Sequence, residues 1–119
     1  MENIPARQAG LIFDVGVHTG EDTAFYLKKG FNVVGVEANP DLCRDLRTTF
    51  AEEISDGRFR LVQAAVAEKA GTGKFYRFEK SVFGTISPDW AARNTKMGVD
   101  FDDIDVDFVT PIELYQTYG

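Results

Sequence analysis

The amino-acid sequence predicts an α/β fold, in which a Rossmann-like parallel sheet carries helices on both faces. Two observations support this prediction. Short apolar segments alternate with segments of helical periodicity along the first half of the chain, and glycines or capping residues separate them. The resulting order β-α-β-α-β over 10–67 is the half-unit of a doubly wound parallel sheet.

The first two strands and the helix between them follow from local patterns. The segments GLIFDVG (10–16) and FNVVGVEA (31–38) are mostly apolar and predict strands that are buried on both faces. Thr19 and Asp22 match a capping box, so a helix is expected through EDTAFYLKK, ending at Gly30.

A second helix and a third strand are expected next. Asn39 suits an N-cap position and Pro40 the first helical position. Gly57 ends the helical segment, and RFRLVQAAVA (58–67) predicts the third strand. The buried stripe of this helix is expected to comprise Leu42, Leu46, Phe50 and Ile54.

The second half of the chain has a different pattern of elements. The predicted elements are a strand over 71–79, a short helix over 87–98 capped by Ser87 and ended by Gly98, a half-exposed strand over 103–110, and a helix opened by a capping box of Thr110 and Glu113.

Composition limits the classes of function. At 119 residues the chain fits one domain, 1–119. Its net charge of −6 and the lack of a basic run argue against a nucleic-acid partner. A single cysteine, Cys43, allows no internal disulfide, and a single histidine, His18, allows no multi-histidine metal site. No segment approaches the roughly 18 apolar residues that cross a bilayer, and MENIPARQAG (1–10) lacks the basic segment and long apolar region of a secretory signal. We therefore expect a cytoplasmic protein with no membrane partner.

The segment IFDVGVHTGEDT (12–23) is the first candidate for a binding site. A glycine loop between a strand and a helix presents free backbone N–H groups at the carboxyl edge of the sheet. Gly16 and Gly20 would let a ligand approach the backbone, although glycines also serve tight turns.

An acid on the second strand strengthens this hypothesis. Glu37 follows Gly16 by about 20 residues, the offset of an acid that accepts hydrogen bonds from ribose hydroxyls. The alternative is a solvated acid near a helix N-terminus. The loop lacks the G-x-G-x-x-G dinucleotide pattern, and Asp14 suits the ammonium group of an amino-acid end better than a pyrophosphate. S-adenosylmethionine (SAM) is therefore favoured over NAD.

The segment FDVGVHTGEDTAFYLKKGFNVVGVEANPDL resembles the first two motifs of class I SAM-dependent methyltransferases, specifically the FkbM-like family. Softer similarity continues in LVQAAVAEKAGTGKFY, SVFGTISPDWAARNTKMG and VTPIELYQTYG, and so covers nearly the whole chain. The resemblance implies O-methyl transfer from SAM to a hydroxyl of a small molecule or glycan. An NAD-dependent oxidoreductase domain and a non-catalytic nucleotide-binding module remain as alternatives.

The resemblance also implies which residues bind the cofactor. The loop would shape the methionine pocket, Glu37 would hold the ribose, and the residues after the second and third strands would flank the adenine. His18 stands where the family has asparagine or glycine; all three tolerate positive φ, and a geometric role is favoured over general-base catalysis. The predicted cofactor-binding residues are Asp14, Gly16, Val17, His18, Gly20, Glu37, Ala38, Asn39, Ala65 and Val66.

One departure concerns the end of the chain. In the family, ELYQTYG leads into a fourth strand whose acid faces the methyl group, and no such strand follows here. We therefore expect a truncated domain with no assigned catalytic residue, weak SAM binding at most and no turnover. The first strand would keep an unpaired apolar edge, a possible route to self-association.

The remaining candidates favour structural roles. Phe83, Trp90 and Phe101 could line an acceptor pocket, but packing is the favoured interpretation. The alternating acids over 100–107 indicate a solvated strand face rather than a calcium loop. Cys43 has no activating neighbour in the sequence and is expected to be a structural thiol.

Overall fold

Two β-sheets, joined through Ala64, make up the framework of the protein. The fold is taken from a computed structural model that describes residues 10–78, 84–96 and 101–119. The first sheet contains β1 (Leu11–Val15), β2 (Asn32–Glu37) and β3 (Phe59–Gln63), which are parallel and lie in the order β1-β2-β3. The helices that connect these strands are α1 (Glu21–Lys28), α2 (Pro40–Thr49) and α3 (Ala51–Ser55).

The second sheet is mixed. Its strands are β4 (Ala65–Val66), β5 (Gly71–Phe78), β6 (Gly84–Thr85) and β7 (Phe101–Val109), in the order β4-β7-β5-β6. β5 pairs antiparallel with both β6 and β7, and β4 pairs parallel with β7. Two further helices are α4 (Pro88–Lys96) and α5 (Pro111–Tyr118).

Helices cover both faces of the first sheet, which confirms the predicted fold class. On one face, Leu27 of α1 and Leu46 of α2 pack with Val33 of β2. On the other face, Leu114 of α5 packs with Val36 of the same strand. Successive β2 side chains alternate between the faces, as the geometry of a strand requires.

The first strand is not buried on both faces, so that prediction is wrong. Leu11 is 40% exposed and Val15 is 59% exposed. The physical reason is the position of β1 at the edge of the sheet, where β2 is its only partner among the described residues.

The predicted third strand over 58–67 divides into two strands that belong to different sheets. β2 ends at Glu37, and the last register pair between β2 and β3 is Glu37 with Gln63. Beyond that pair, the described strands of the first sheet provide no further register partner, and Ala65 and Val66 pair with β7 instead. The division at Ala64 therefore follows from where the neighbouring strand stops.

The predicted helix starts had mixed outcomes. The Asn39 side chain caps α2, accepting a 3.0 Å hydrogen bond from the Asp41 N–H, and Thr110 and Glu113 form the predicted capping box of α5. The prediction for α1 is wrong: Gly20 is its N-cap, and the Thr19 hydroxyl donates to the Glu21 carboxylate instead. A left-handed Gly20, with φ 93°, turns the chain between Thr19 and the helix.

The other predictions are close to the observed bounds. The helical segment from Pro40 contains both α2 and α3, which break at Phe50, and of the predicted stripe Leu46 and Phe50 are buried. β5, α4 and β7 lie where strands and a helix were expected, with the acids of β7 exposed. The predicted helix end at Gly98 and strand end at residue 79 lie outside the described residues.

Candidate cofactor-binding site

The loop after β1 turns on residues in the left-handed region of the backbone map. Gly16 has φ 78°, His18 has φ 56° and Gly20 has φ 93°. Histidine was expected to tolerate this conformation at position 18, and the structure confirms it. The Gly16 N–H donates a 2.7 Å hydrogen bond to the Val36 carbonyl, which fixes the loop at the carboxyl edge of the sheet.

The two loop glycines are required for different reasons. A Cβ atom on Gly16 would lie 3.3 Å from Nε2 of His18, so the imidazole packs closely over this position. A Cβ atom on Gly20 would lie 2.7 Å from the Phe50 ring. Gly20 therefore allows close packing against the core, whereas Gly16 faces the candidate site.

Glu37 is the central side chain of the site. It lies at the carboxyl end of β2 and is only 4% exposed. One carboxylate oxygen accepts a 2.8 Å hydrogen bond from the His18 N–H, and the other accepts a 2.9 Å bond from the Asn39 N–H. Because Glu37 is buried, the alternative of a solvated acid is wrong. The two N–H groups supply the hydrogen bonds that a buried carboxylate needs.

The carboxylate of Glu37 retains acceptor capacity. Each ionised carboxylate oxygen has two lone pairs, and each oxygen receives one of the hydrogen bonds from the protein. Glu37 can therefore bind two hydroxyl groups of a ligand while it holds the loop and the helix start in place.

Asp14 contributes to the support of the site. Its carboxylate accepts a 2.7 Å hydrogen bond from the hydroxyl of Thr23, which is fully buried on α1. This bond ties the carboxyl end of β1 to the helix that follows the loop. Asp14 does not belong to the lining of the adjacent cavity.

A cavity of about 190 Å³ lies beside the loop and the end of β2. Both sheets contribute to its walls. The end of β2 lies on one side, and Phe75 of β5 and the segment 84–86 form another wall. Six of the ten predicted residues line it: Gly16, His18, Glu37, Ala38, Ala65 and Val66. The lining residues that sequence reasoning missed are Val15, Val36, Ala64, Phe75, Gly84, Thr85 and Ile86.

The other predicted residues support the lining. Val17 belongs to the core cluster of the first sheet, and Asn39 caps α2. Trp90, a candidate for an acceptor pocket, is 54% exposed on α4 and does not line the cavity. Phe83 and the side chain of Phe101 lie outside the described residues.

The wall formed by β5 and β6 depends on a contact between a ring and a glycine. A Cβ atom on Gly84 would lie 2.2 Å from the Phe75 ring. The ring therefore rests directly on the backbone of β6, and Phe75 is 8% exposed. A glycine and an aromatic residue in neighbouring strands were the available sequence signal, but their pairing could not be inferred without the register.

Cys43 lies behind the site as a structural thiol. It is fully buried on α2, and its Sγ donates a 3.2 Å hydrogen bond to the Glu37 carbonyl. Burial, together with the negative charge of Glu37, raises the pKa of the thiol to about 11. The thiol is therefore protonated and unreactive at neutral pH.

The described ranges contain neither a cluster of metal-ligating side chains nor a membrane-spanning helix. Within residues 10–78, 84–96 and 101–119, no group of three or more histidine, cysteine or acidic side chains is placed to hold a metal ion. In the same ranges, no helix has the length and apolar character needed to cross a membrane.

The sequence is similar to part of a known methyltransferase. It shares 39% identity over 59 residues with ribosomal RNA small subunit methyltransferase A from Synechococcus sp. (strain JA-3-3Ab). The match covers 50% of this chain and 20% of that protein, so the chain matches about one fifth of the length of this curated relative. No family model matches the sequence, and no solved structure matches it significantly. The similarity supports a relationship to methyltransferases in general and does not extend to the FkbM-like family.

Proposed function

We propose that this chain is the SAM-binding portion of a methyltransferase that transfers a methyl group to a hydroxyl acceptor. The observation that carries the proposal is the buried carboxylate of Glu37, which keeps free lone pairs at a cavity beside a glycine loop. The similarity to a methyltransferase supports the same class of cofactor. The hydroxyl acceptor, on a small molecule or glycan, rests on the resemblance of the motifs.

The lining of the cavity suits the adenosine part of the cofactor. Glu37 would accept hydrogen bonds from the two ribose hydroxyls, and its charge would repel a 2′-phosphate. Ala38, Ala65 and Val66 provide small apolar walls for a flat ring, and Phe75 provides an aromatic one. Gly16 and His18 line the side of the cavity that the loop after β1 forms. The methionine end of the cofactor would extend towards this side.

The chain contributes positioning rather than an assigned catalytic group. When bound, SAM supplies a methyl group on a positively charged sulfur, which an acceptor oxygen can attack in line. The residues described here would orient that cofactor and screen it from water, and orientation is a large part of catalysis in transfer reactions. No residue of the site is assigned as the base.

The proposal is tested by NMR titration of the ¹⁵N-labelled protein, because amide shifts report even weak binding. We expect SAM and S-adenosylhomocysteine to shift the amide signals of Gly16, His18 and Ala38, and NAD to leave them unchanged. Shifts with NAD and none with SAM would show that the site belongs to a nicotinamide-dependent enzyme instead.

A matched pair of variants tests the role of Glu37. Glu37→Gln removes the charge and one acceptor, and we expect at least about tenfold weaker SAM binding, since a hydrogen bond to a charged group contributes roughly 1.5–3 kcal/mol. Glu52→Gln makes the same charge change on the exposed α3 and should bind as the wild type does. Circular dichroism establishes that both variants are folded. Equal affinities of the two folded variants would refute the ribose-binding role.

A further inference from the structure

The candidate cavity is lined by residues of both sheets. The inner face of the second sheet packs on Ala38, the residue after β2, through an apolar cluster that includes Ala65 and Phe75. Phe75 and Arg77 are two positions apart on β5 and therefore point to the same face of the sheet. Arg77 extends this contact from apolar packing to ion pairs.

The Arg77 guanidinium binds two carboxylates that belong to different parts of the fold. Its Nη2 lies 2.6 Å from Oδ2 of Asp102, its register partner on β7. Its Nη1 lies 3.2 Å from Oδ2 of Asp41, in the first turn of α2. The Arg77 side chain is only 23% exposed, whereas both carboxylates are more than half exposed. One arm of the guanidinium, the ion pair with Asp102, thus lies within the second sheet. The other arm, the ion pair with Asp41, connects the second sheet to α2.

The Asp41 arm is connected to the centre of the candidate site. The Asp41 N–H donates to the Asn39 side chain at 3.0 Å, and the Asn39 N–H donates to the Glu37 carboxylate at 2.9 Å. Glu37 and Phe75 both line the cavity. A continuous set of polar contacts therefore runs from Arg77 to Glu37, beside the apolar contact of Phe75.

We infer that Arg77 is a positioning residue, whose ion pair with Asp41 holds β5 against the start of α2 and so keeps Phe75 and Glu37 as walls of one cavity. The part of this inference that concerns cofactor affinity rests on the proposed SAM site. The part that concerns the placement of Phe75 is independent of any ligand.

Three substitutions separate the two arms of Arg77. Arg77→Gln removes both, Asp41→Asn removes the arm to α2, and Asp102→Asn removes the arm within the second sheet. We expect Arg77→Gln and Asp41→Asn to weaken SAM binding about three- to fivefold, the upper part of the range for an exposed ion pair. Asp102→Asn should bind SAM within about twofold of the wild type, because the contact to α2 remains. Raising the salt concentration should weaken binding by the wild type and leave Asp41→Asn less affected.

Asp41 has a second partner that requires a control. Nη1 of Arg44, one turn along α2, lies 3.5 Å from Oδ1 of Asp41, and both side chains are exposed. Arg44→Gln removes that partner and leaves the contact with Arg77. We expect this variant to bind SAM as the wild type does.

A second measurement does not depend on the cofactor. Nuclear Overhauser effects between the Phe75 ring and the methyl groups of Ala38 and Ala65 should weaken in Arg77→Gln and Asp41→Asn, and should persist in Asp102→Asn and Arg44→Gln. If the wild type does not bind SAM, the proposed function fails, and these effects still decide the role of Arg77. Unchanged effects in Asp41→Asn, or their loss in Asp102→Asn alone, would overturn the inference, because Arg77 would then only brace β5 against β7.

Discussion

Among single residues, Glu37 serves the fold and the candidate site at once. Its carboxylate accepts hydrogen bonds from the N–H groups of His18, in the loop after β1, and Asn39, the N-cap of α2. The spacing from Gly16 was sufficient to predict its place at the strand end, because parallel strands bring their carboxyl ends to one edge. The two backbone partners could not be predicted, since they depend on the path of the loop.

Gly20 and Gly30 form a natural pair for testing local packing. Both have positive φ, at 93° and 96°, but only Gly20 faces the Phe50 ring, and Gly30 has no atom within 4 Å of a built Cβ. We expect Gly30→Ala to cost about 1–2 kcal/mol from the left-handed backbone alone. Gly20→Ala should cost roughly 1–3 kcal/mol more, because overpacking adds to that strain. Urea unfolding measures both, and equal losses would mean that the Phe50 ring moves aside freely.

At the scale of elements, the same motif had two outcomes. Thr19 and Asp22 match the pattern of a capping box as well as Thr110 and Glu113 do. The second pair forms the box, with Pro111 at the first helical position. In the first pair, the left-handed Gly20 takes the N-cap position. The pattern alone cannot distinguish these cases, because it contains no information on the backbone of the intervening residue.

The capping box of α5 gives a direct prediction for that helix. Thr110→Ala removes the acceptor that the Glu113 N–H uses at 3.1 Å. We expect a loss of about 1 kcal/mol in the free energy of unfolding, the usual effect of losing a threonine cap. Thr49→Ala, at the exposed end of α2, is the control and should be within about 0.5 kcal/mol of the wild type. A Thr110→Ala protein as stable as that control would contradict the assigned cap.

The division between β3 and β4 shows where prediction of elements stops. The segment 58–67 was expected to form one strand because its composition is continuous. Hydrophobic pattern indicates that a segment is extended, but it does not identify the partner strand. The partner changes at Ala64, where β2 has ended.

For the whole molecule, the candidate site is a product of both sheets. The six lining residues that sequence reasoning identified lie on the β1 loop, the end of β2 and β4, where motif spacing was informative. The wall formed by Phe75 and the segment 84–86 was missed, since it depends on the register between β5 and β6. Long-range pairing is the information that a single sequence lacks.

Cys43 predicts how the stability of the whole molecule depends on pH. Its pKa rises from 9.0 to about 11 on folding, because burial disfavours the thiolate. Because the pKa is higher in the folded state, the Cys43 thiol stabilises the folded protein fully below about pH 9. This contribution to the free energy of unfolding is lost as the pH rises from about 9 to 11. The loss amounts to at most about 2–3 kcal/mol, at roughly 1.4 kcal/mol for each pH unit.

The comparison with Cys43→Ala isolates this effect from other groups that titrate at alkaline pH. The wild type should be the more stable protein near pH 8, and its advantage over the variant should shrink as the pH approaches 11. Chemical unfolding at several pH values provides the measurement. An advantage that does not change with pH would show that the thiol titrates normally.

The pairing of β4 with β7 also bears on the order in which the molecule folds. Ala65 and Phe108 are register partners about forty residues apart, whereas β1, β2 and β3 pair across shorter connections. Closing the longer loop costs more chain entropy before any contact stabilises it. We therefore expect the first sheet to form early and the cavity to be completed late. A newly made chain would then hold the Glu37 side of its site before the wall that closes it.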